Sequence, residues 1–253
     1  MKVVGSSREI EFPDGTIHQF DSTGKLTQIR NRFSANSVSI AYTQPWTISD
    51  NHGRVQKIYF KTLPQDGGNV DVVDRVELTA FGMAPATYTF GYTSSTILRP
   101  CPHNDPELDD YAQVQLLTSV TLPDTSLYSM PSSDYVIDAP TSGPGCKTSG
   151  SIRGLKLPTL GKIAWTYMDY VFPSQSSNKP YRQSRTGVAT RKTLDGSGAV
   201  LGQWTYSTSL TPSALPPNPG PIYEQMVNTV TDPLSNRREH YFSVYVTGSG
   251  SAP

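Results

Sequence analysis

The sequence predicts an all-β protein: successive antiparallel hairpins forming a curved or spiralling sheet, with long Pro/Ser/Gly loops and little or no helix. Short segments alternate apolar and polar residues with a period of two, and turn signals fall every ten or so residues. The composition agrees, because 14 Tyr with abundant Thr, Ser, Val and Ile favour strands, while 21 Pro and 20 Gly punctuate the chain. One phrase also recurs: Ile10-Glu11-Phe12-Pro13-Asp14-Gly15, then Val120-Thr121-Leu122-Pro123-Asp124-Thr125, then Leu155-Lys156-Leu157-Pro158-Thr159-Leu160. Each copy reads as a strand, a proline-led turn and a second strand, and such recurrence marks a chain assembled from similar units.

Residues 9–12 and 16–20 form the first hairpin around Pro13-Asp14-Gly15, where proline presets φ and glycine tolerates φ > 0. Asp21-Ser22-Thr23-Gly24 turns the chain into residues 26–30. Val38, Ile40 and Tyr42 alternate with Ser39 and Ala41, and Trp46-Thr47-Ile48 leads to the turn Asp50-Asn51-His52-Gly53. Further strands are expected over 55–60, 76–78 and 86–92, the last alternating Tyr88, Phe90 and Tyr92. Residues 116–122 pair with 126–130, and 152–157 precede the aromatic strand 162–172. Residues 187–194 and 200–206 flank Asp195-Gly196-Ser197-Gly198, and residues 227–231 and 238–246 flank Asp232-Pro233-Leu234-Ser235-Asn236. The best helix candidate is 106–115, with Asp105 as N-cap and Pro106 in the first turn. Long surface loops are expected over 94–106, 132–150 and 211–220, all rich in Pro, Ser and Gly. Residues 1–246 are expected to be a single repeat-built domain, and 247–253 a flexible tail.

Charge narrows the partners. Lys plus Arg and Asp plus Glu number 21 each, so no net charge favours nucleic acid or an anionic membrane surface. The small basic run Arg182, Arg185, Arg191 and Lys192 reads as a solvated strand edge. No stretch approaches the ~18–20 apolar residues of a spanning helix, and the start lacks the apolar region of a signal peptide. Secretion or a cell-surface place is therefore expected as part of a larger protein. Cys101 and Cys146 either pair, closing a loop worth about 3–4 kcal/mol, or remain free thiols.

Beyond hairpins, Phe20-Asp21-Ser22-Thr23-Gly24-Lys25-Leu26-Thr27-Gln28-Ile29 resembles the tyrosine-aspartate unit of the RHS/YD-repeat family, aromatic-Asp-x-x-Gly-Arg/Lys-Leu-x-x-Ile. The stretch with Asp50, Gly53, Arg54, Val55 and Ile58 is similar, with Ser49 replacing the aromatic. Asp232, Pro233 and Asn236 resemble the Thr-Asp-Pro-x-Gly-Asn variant, with Ser235 where glycine is usual. Residues 9–60 carry the resemblance well, and the later units are degenerate and broken by loops. The resemblance implies a bacterial β-sheet strip spiralling into a hollow shell, either a toxin-encapsulating shell or an extracellular surface module. Its implied partners are other repeats or an encapsulated C-terminal polypeptide of a larger parent. The family's self-cleaving aspartate is not carried over to Asp232.

Little else suggests chemistry. The histidines His18, His52, His103 and His240 lack metal-ligand spacing, and Asp105, Glu107, Asp109 and Asp110 lack the calcium-loop pattern. No nucleophile elbow, phosphate loop or dinucleotide fingerprint occurs, so no catalytic residue, cofactor or metal is expected. The expected function is a non-enzymatic structural scaffold. A carbohydrate-binding module stacking sugars on Trp165 and Trp204 is the alternative, and a glycosidase-like pair of carboxylates is a third.

Overall fold

The computed structural model describes residues 2–4, 7–33, 35–98, 111–137, 150–171, 184–212 and 223–245. All but two of the elements are strands, joined in antiparallel order. They are β1 (Lys2–Val4), β2 (Ser7–Glu11), β3 (Ile17–Phe20), β4 (Leu26–Arg30), β5 (Ser37–Ala41), β6 (Trp46–Asp50), β7 (Val55–Gln65), β8 (Gly68–Thr79) and β9 (Pro85–Leu98). There follow β10 (Tyr111–Thr121), β11 (Leu127–Ser129), β12 (Gly154–Lys156), β13 (Lys162–Val171), β14 (Ser184–Leu194), β15 (Val200–Pro212), β16 (Tyr223–Thr231) and β17 (Arg237–Tyr245). Two 3-10 turns, Phe81–Met83 and Ser132–Asp134, are the helical content among the described residues.

The chain divides into two compact units, residues 1–93 with 117–127 and residues 94–116 with 128–253. The candidate helix at 106–115 is corrected: residues 111–115 belong to β10, and its first half lies outside the described residues. Tyr111, Val114, Leu116 and Leu117 read equally well as strand, and pairing with β9 decides the matter. Two of the expected loops also start late, since β9 runs to Leu98 and β15 to Pro212. Cys101, Cys146, His103, the acidic group at 105–110 and the tail at 247–253 lie outside the described residues.

In the first unit each strand pairs with the next, from β1 with β2 through β8 with β9. Because facing residues share a side, the registers divide the sheet by chemistry. One side carries Ile10 opposite His18 opposite Ile29 opposite Val38, and Trp46 opposite Ile58 opposite Val76 opposite Tyr88. Rings tie this side together: Phe12 lies 4.7 Å from His18, Tyr42 5.1 Å from Trp46, and Trp46 4.7 Å from Phe60. The other side carries Lys57 opposite Glu77 and Tyr59 opposite Arg75, with the Arg75 guanidinium 3.5 Å from the Tyr59 ring centre. Arg75 Nε donates to Glu77 at 3.0 Å, and the Tyr59 hydroxyl donates to the same carboxylate at 3.1 Å. These bonds hold the Glu77 carboxyl below its ordinary range and Arg75 above its own. Period-two alternation in β5 to β8 thus makes a two-faced sheet.

In the second unit β11 to β17 continue the same consecutive antiparallel order. Its turns 157–161, 195–199 and 232–236 all fall at one end of the strands, because alternate connections of a meander share an end. Among the described residues the buried apolar side chains are Ile97, Leu116, Met130, Tyr135, Met226 and Val227, all in this unit. Tyr135 bridges Ile152, and burial pushes its hydroxyl pKa up. Beside it Lys162 reaches Asp134 at 2.6 Å. Glycine is required at Gly187, where the Tyr170 ring lies over the Cα and leaves no room for a Cβ. Tyr170 then donates its hydroxyl to the Val188 carbonyl at 2.7 Å.

With so few buried apolar side chains, each should matter. Met226→Ala is expected to cost about 2–5 kcal/mol in a urea titration. Leu234→Ala, at a position 82% exposed, should stay within about 0.5 kcal/mol. Equal losses would show that Met226 is not a packing anchor.

Candidate functional site: the repeated hairpin turn

The feature that recurs throughout the chain is a turn. At seven places the same five-residue loop joins two strands, with two bonds in common. The first residue donates its N–H to the carbonyl of the fifth, and the fourth donates to the carbonyl of the first. The pairs are Phe12/Thr16 with Gly15, Asp21/Lys25 with Gly24, Asp50/Arg54 with Gly53, Leu122/Ser126 with Thr125, Leu157/Gly161 with Leu160, Asp195/Ala199 with Gly198, and Asp232/Asn236 with Ser235. In all seven the fourth residue has positive φ, between 66° at Ser235 and 90° at Gly198. This is the three-residue hairpin loop that ends in a left-handed residue.

Two sequence solutions reach this one backbone. In the aspartate form the first residue is Asp21, Asp50, Asp195 or Asp232, and its Oδ1 accepts the N–H groups of the third and fifth residues. The distances are 2.8 and 3.0 Å at Asp21, 2.9 and 2.9 Å at Asp50, 2.9 and 2.9 Å at Asp195, and 2.9 and 2.9 Å at Asp232. In the proline form Pro13, Pro123 or Pro158 occupies the second position and presets its φ. Asp14 and Asp124 then sit third and accept the N–H of the fifth residue, at 2.8 and 3.0 Å. The recurring proline phrase and the tyrosine-aspartate-like unit are therefore the same structural element.

The remaining motif residues support the loop or its flanks. Arg54 Nε donates to Asp50 Oδ2 at 2.6 Å, and Asn236 Nδ2 to Asp232 Oδ2 at 2.9 Å. Pro233 stands second in its turn and packs on the backbone of Gly202. Phe20 faces Leu26 across a register shift, and Lys25 lies 5.3 Å from the Tyr42 ring centre. Tyr42 donates its hydroxyl to the Leu26 carbonyl at 2.9 Å, as Tyr92 does to Val73 at 2.9 Å and Tyr167 does to Ile152. Sequence reading took 195–198 as an ordinary turn. Its hydrogen bonds place it in the set, and the spacing Asp-x-x-Gly that it shares with 21–24 and 50–53 is the signal that could have found it.

The Asp carboxyls sit below their ordinary range for local reasons. At Asp21 the Thr23 hydroxyl and the Lys25 N–H hold it down, and at Asp195 the Ser197 hydroxyl and the Ala199 N–H do so. The Asn236 side chain lowers Asp232, the Ser126 hydroxyl lowers Asp124, and the Thr16 N–H lowers Asp14. At Asp50 desolvation pushes upward, but the N–H groups of Arg54 and His52 and the Arg54 side chain outweigh it.

Among the described residues no group of three His, Cys, Asp or Glu side chains could hold a metal ion. His18 meets the Phe12 ring edge to face, and His52 Nε2 lies 3.3 Å from Asn36 Oδ1. Trp165 stands opposite Arg191 and Arg191 opposite Trp204, so the three form one cross-strand row. Arg191 covers the Trp204 ring at 4.7 Å, and both indoles are half-buried.

Two predictions follow from the turn. Gly24→Ala and Gly53→Ala place a Cβ in open space at φ of 87° and 84°, so each should cost about 1–2 kcal/mol from the backbone alone. Gly15→Ala should cost more, because its Cβ would meet Arg32 Cβ at 2.9 Å. Ser235→Gly should stabilise. Chemical denaturation orders the four, and a neutral Gly24→Ala would contradict the account. The second concerns pH. A folded-state pKa below the unfolded value of ~3.9 gives stability that is full above that value and lost as pH falls through the folded one. Urea midpoints should therefore hold from about pH 7 to 5 and decline below about pH 4. Combining Asp21→Asn with Asp195→Asn should flatten that decline.

No protein-family model and no curated protein matches the chain. Among solved structures, a porin-like protein from Bacteroides uniformis ATCC 8492 aligns over 94% of this chain and 95% of its own, with 14% identity and a TM-score of 0.36.

Proposed function

We propose that this chain is a non-enzymatic β-repeat scaffold, part of an RHS/YD-type extracellular or toxin-encapsulating shell. The observation that carries the reading is the seven-fold use of one hairpin loop, built on Asp-x-x-Gly three times, on Asp-x-x-Ser at 232–235, and on the proline form three times. A chain assembled by adding hairpins needs a turn that closes locally, whatever the strands around it carry. A carboxylate accepting two turn N–H groups supplies that closure within five residues.

The two-faced sheet of the first unit supports the same reading. Its apolar side holds Ile10, Ile29, Ile58 and Tyr88, all half-buried, and Trp46, which is exposed, and no side chain of that row is fully covered among the described residues. A sheet with one apolar side gains most when that side is enclosed by further protein. Other repeats, or an encapsulated C-terminal polypeptide of a larger parent, are the partners that would provide it. Secretion or display at the bacterial surface belongs to this proposal.

Sequencing the transcript that carries this chain is expected to show further Asp-x-x-Gly turn units in the same frame. Limited proteolysis of the full product should then leave a resistant core that includes these residues. A transcript with no further unit of this kind would overturn the shell reading.

A further inference from the structure

We propose that the second unit holds a binding pocket for a neutral sugar, sized for one pyranose ring, on a sheet face shared by β13, β15, β16 and β17. The pocket has a volume of about 260 Å³, and Tyr170, Tyr206, Asn228, Val230, His240 and Phe242 line it. Its place follows from strand register. The ladder between β14 and β15 runs from Leu194 opposite Val200 to Thr190 opposite Thr205. Past that point β14 continues beside β13 as far as Ser184, and β15 beside β16 as far as Pro212. The sheet parts there, with Tyr170 on one lip and Tyr206 on the other. Tyr170 is held by its bond to the Val188 carbonyl at 2.7 Å and by Gly187 beneath its ring. Burial and the nearby Tyr206 push its hydroxyl pKa up.

Beyond Tyr206 the floor is a cross-strand row. Thr208 stands opposite Asn228, and Asn228 opposite His240. Tyr206 opposite Val230 flanks this row on one side, and Met226 opposite Phe242 flanks it on the other. Residues two apart on a strand share a face, so aromatic rings border an amide and an imidazole. The row is unfinished, because Asn228 Oδ1 and Thr208 Oγ1 are buried without a hydrogen-bond partner. A buried acceptor left unpaired costs stability until it meets a donor. The terminal torsion of asparagine is broad. Rotation about it turns the Asn228 oxygen toward the pocket, where a ligand hydroxyl donates to it.

Chemistry selects the ligand. The lining contains no Asp, Glu, Lys or Arg, so a phosphate, carboxylate or ammonium group would lose its water there without gaining a partner. Three rings offer apolar faces that suit the C–H face of a pyranose. Asn228 and His240 offer both donors and acceptors, which suit its hydroxyls. The volume lies just below the ~300 Å³ at which pockets for drug-sized ligands begin, so it takes a single ring unit. Neither Trp165 nor Trp204 lines this pocket.

The pocket lies within the second unit and does not rest on the shell reading. In the isotope-labelled chain of 253 residues, methyl glycosides of glucose, galactose and mannose are titrated and the amide signals followed by NMR. At least one glycoside should move the signals of residues 206–208, 228–230 and 240–242, with a dissociation constant on the order of 1 mM. Tyr206→Ala should weaken that binding at least ~10-fold. Asn228→Leu should abolish it while leaving the urea midpoint unlowered, because the oxygen it removes is buried without a partner. Leu234→Ala, in a turn outside the pocket, should leave it unchanged. The shift map of the unmodified protein decides the matter even if a variant fails to fold. No shift at these amides with any of the glycosides, a larger response to cytidine or uridine, or shifts centred on the Trp165 indole would each overturn the proposal.

Discussion

One carboxylate accepting two backbone N–H groups is the interaction from which the rest of this structure is built. At Asp21, Asp50, Asp195 and Asp232 a single Oδ1 closes the loop between two strands, and the next residue but two supplies the positive φ. Because the loop length is constant, the register of the flanking strands follows from the turn. Each hairpin is thereby specified by residues close in sequence, which is what a chain extended by repetition requires.

The turn also explains why the sheet tolerates a thin core. Local closure keeps the entropy of strand pairing low, and cross-strand contacts add fractions of a kcal/mol at each step. The Trp46–Phe60 and Tyr42–Trp46 ring pairs, the Arg75–Glu77–Tyr59 cluster and the Arg191–Trp204 stack are such contacts. Tyrosine hydroxyls reaching neighbouring strand carbonyls, as Tyr42 and Tyr92 do, couple strands beyond the ladder. Among the described residues the buried apolar side chains are few: Ile97, Leu116, Met130, Tyr135, Met226 and Val227.

Legibility in the sequence followed range. The hairpins around Pro13-Asp14-Gly15, Asp21-x-x-Gly24 and Asp50-x-x-Gly53 were readable because loop and strands lie within some fifteen residues of each other. Asp195 was read as a turn but not as a member of the set, since its flanks lack the aromatic and the basic-Leu pair. The stretch 111–115 failed as a helix because good capping residues upstream, Asp105 and Pro106, are local signals. The partner strand β9, which fixes the backbone there, lies on the far side of a long link.

The sequence alone determined the fold class, the turn positions and the alternation of side chains, because all three are written in neighbouring residues. It also contained, in Asp-x-x-Gly and Pro-Asp, two spellings of one loop without saying that they were equivalent. Tertiary structure decided that equivalence, since only the hydrogen bonds show Pro13 and Asp21 serving the same backbone path. It decided as well which strand faces which, and hence that Arg191 lies over Trp204 and that Met226 is covered. Those outcomes depend on residues distant along the chain, brought opposite one another by register rather than by any local preference.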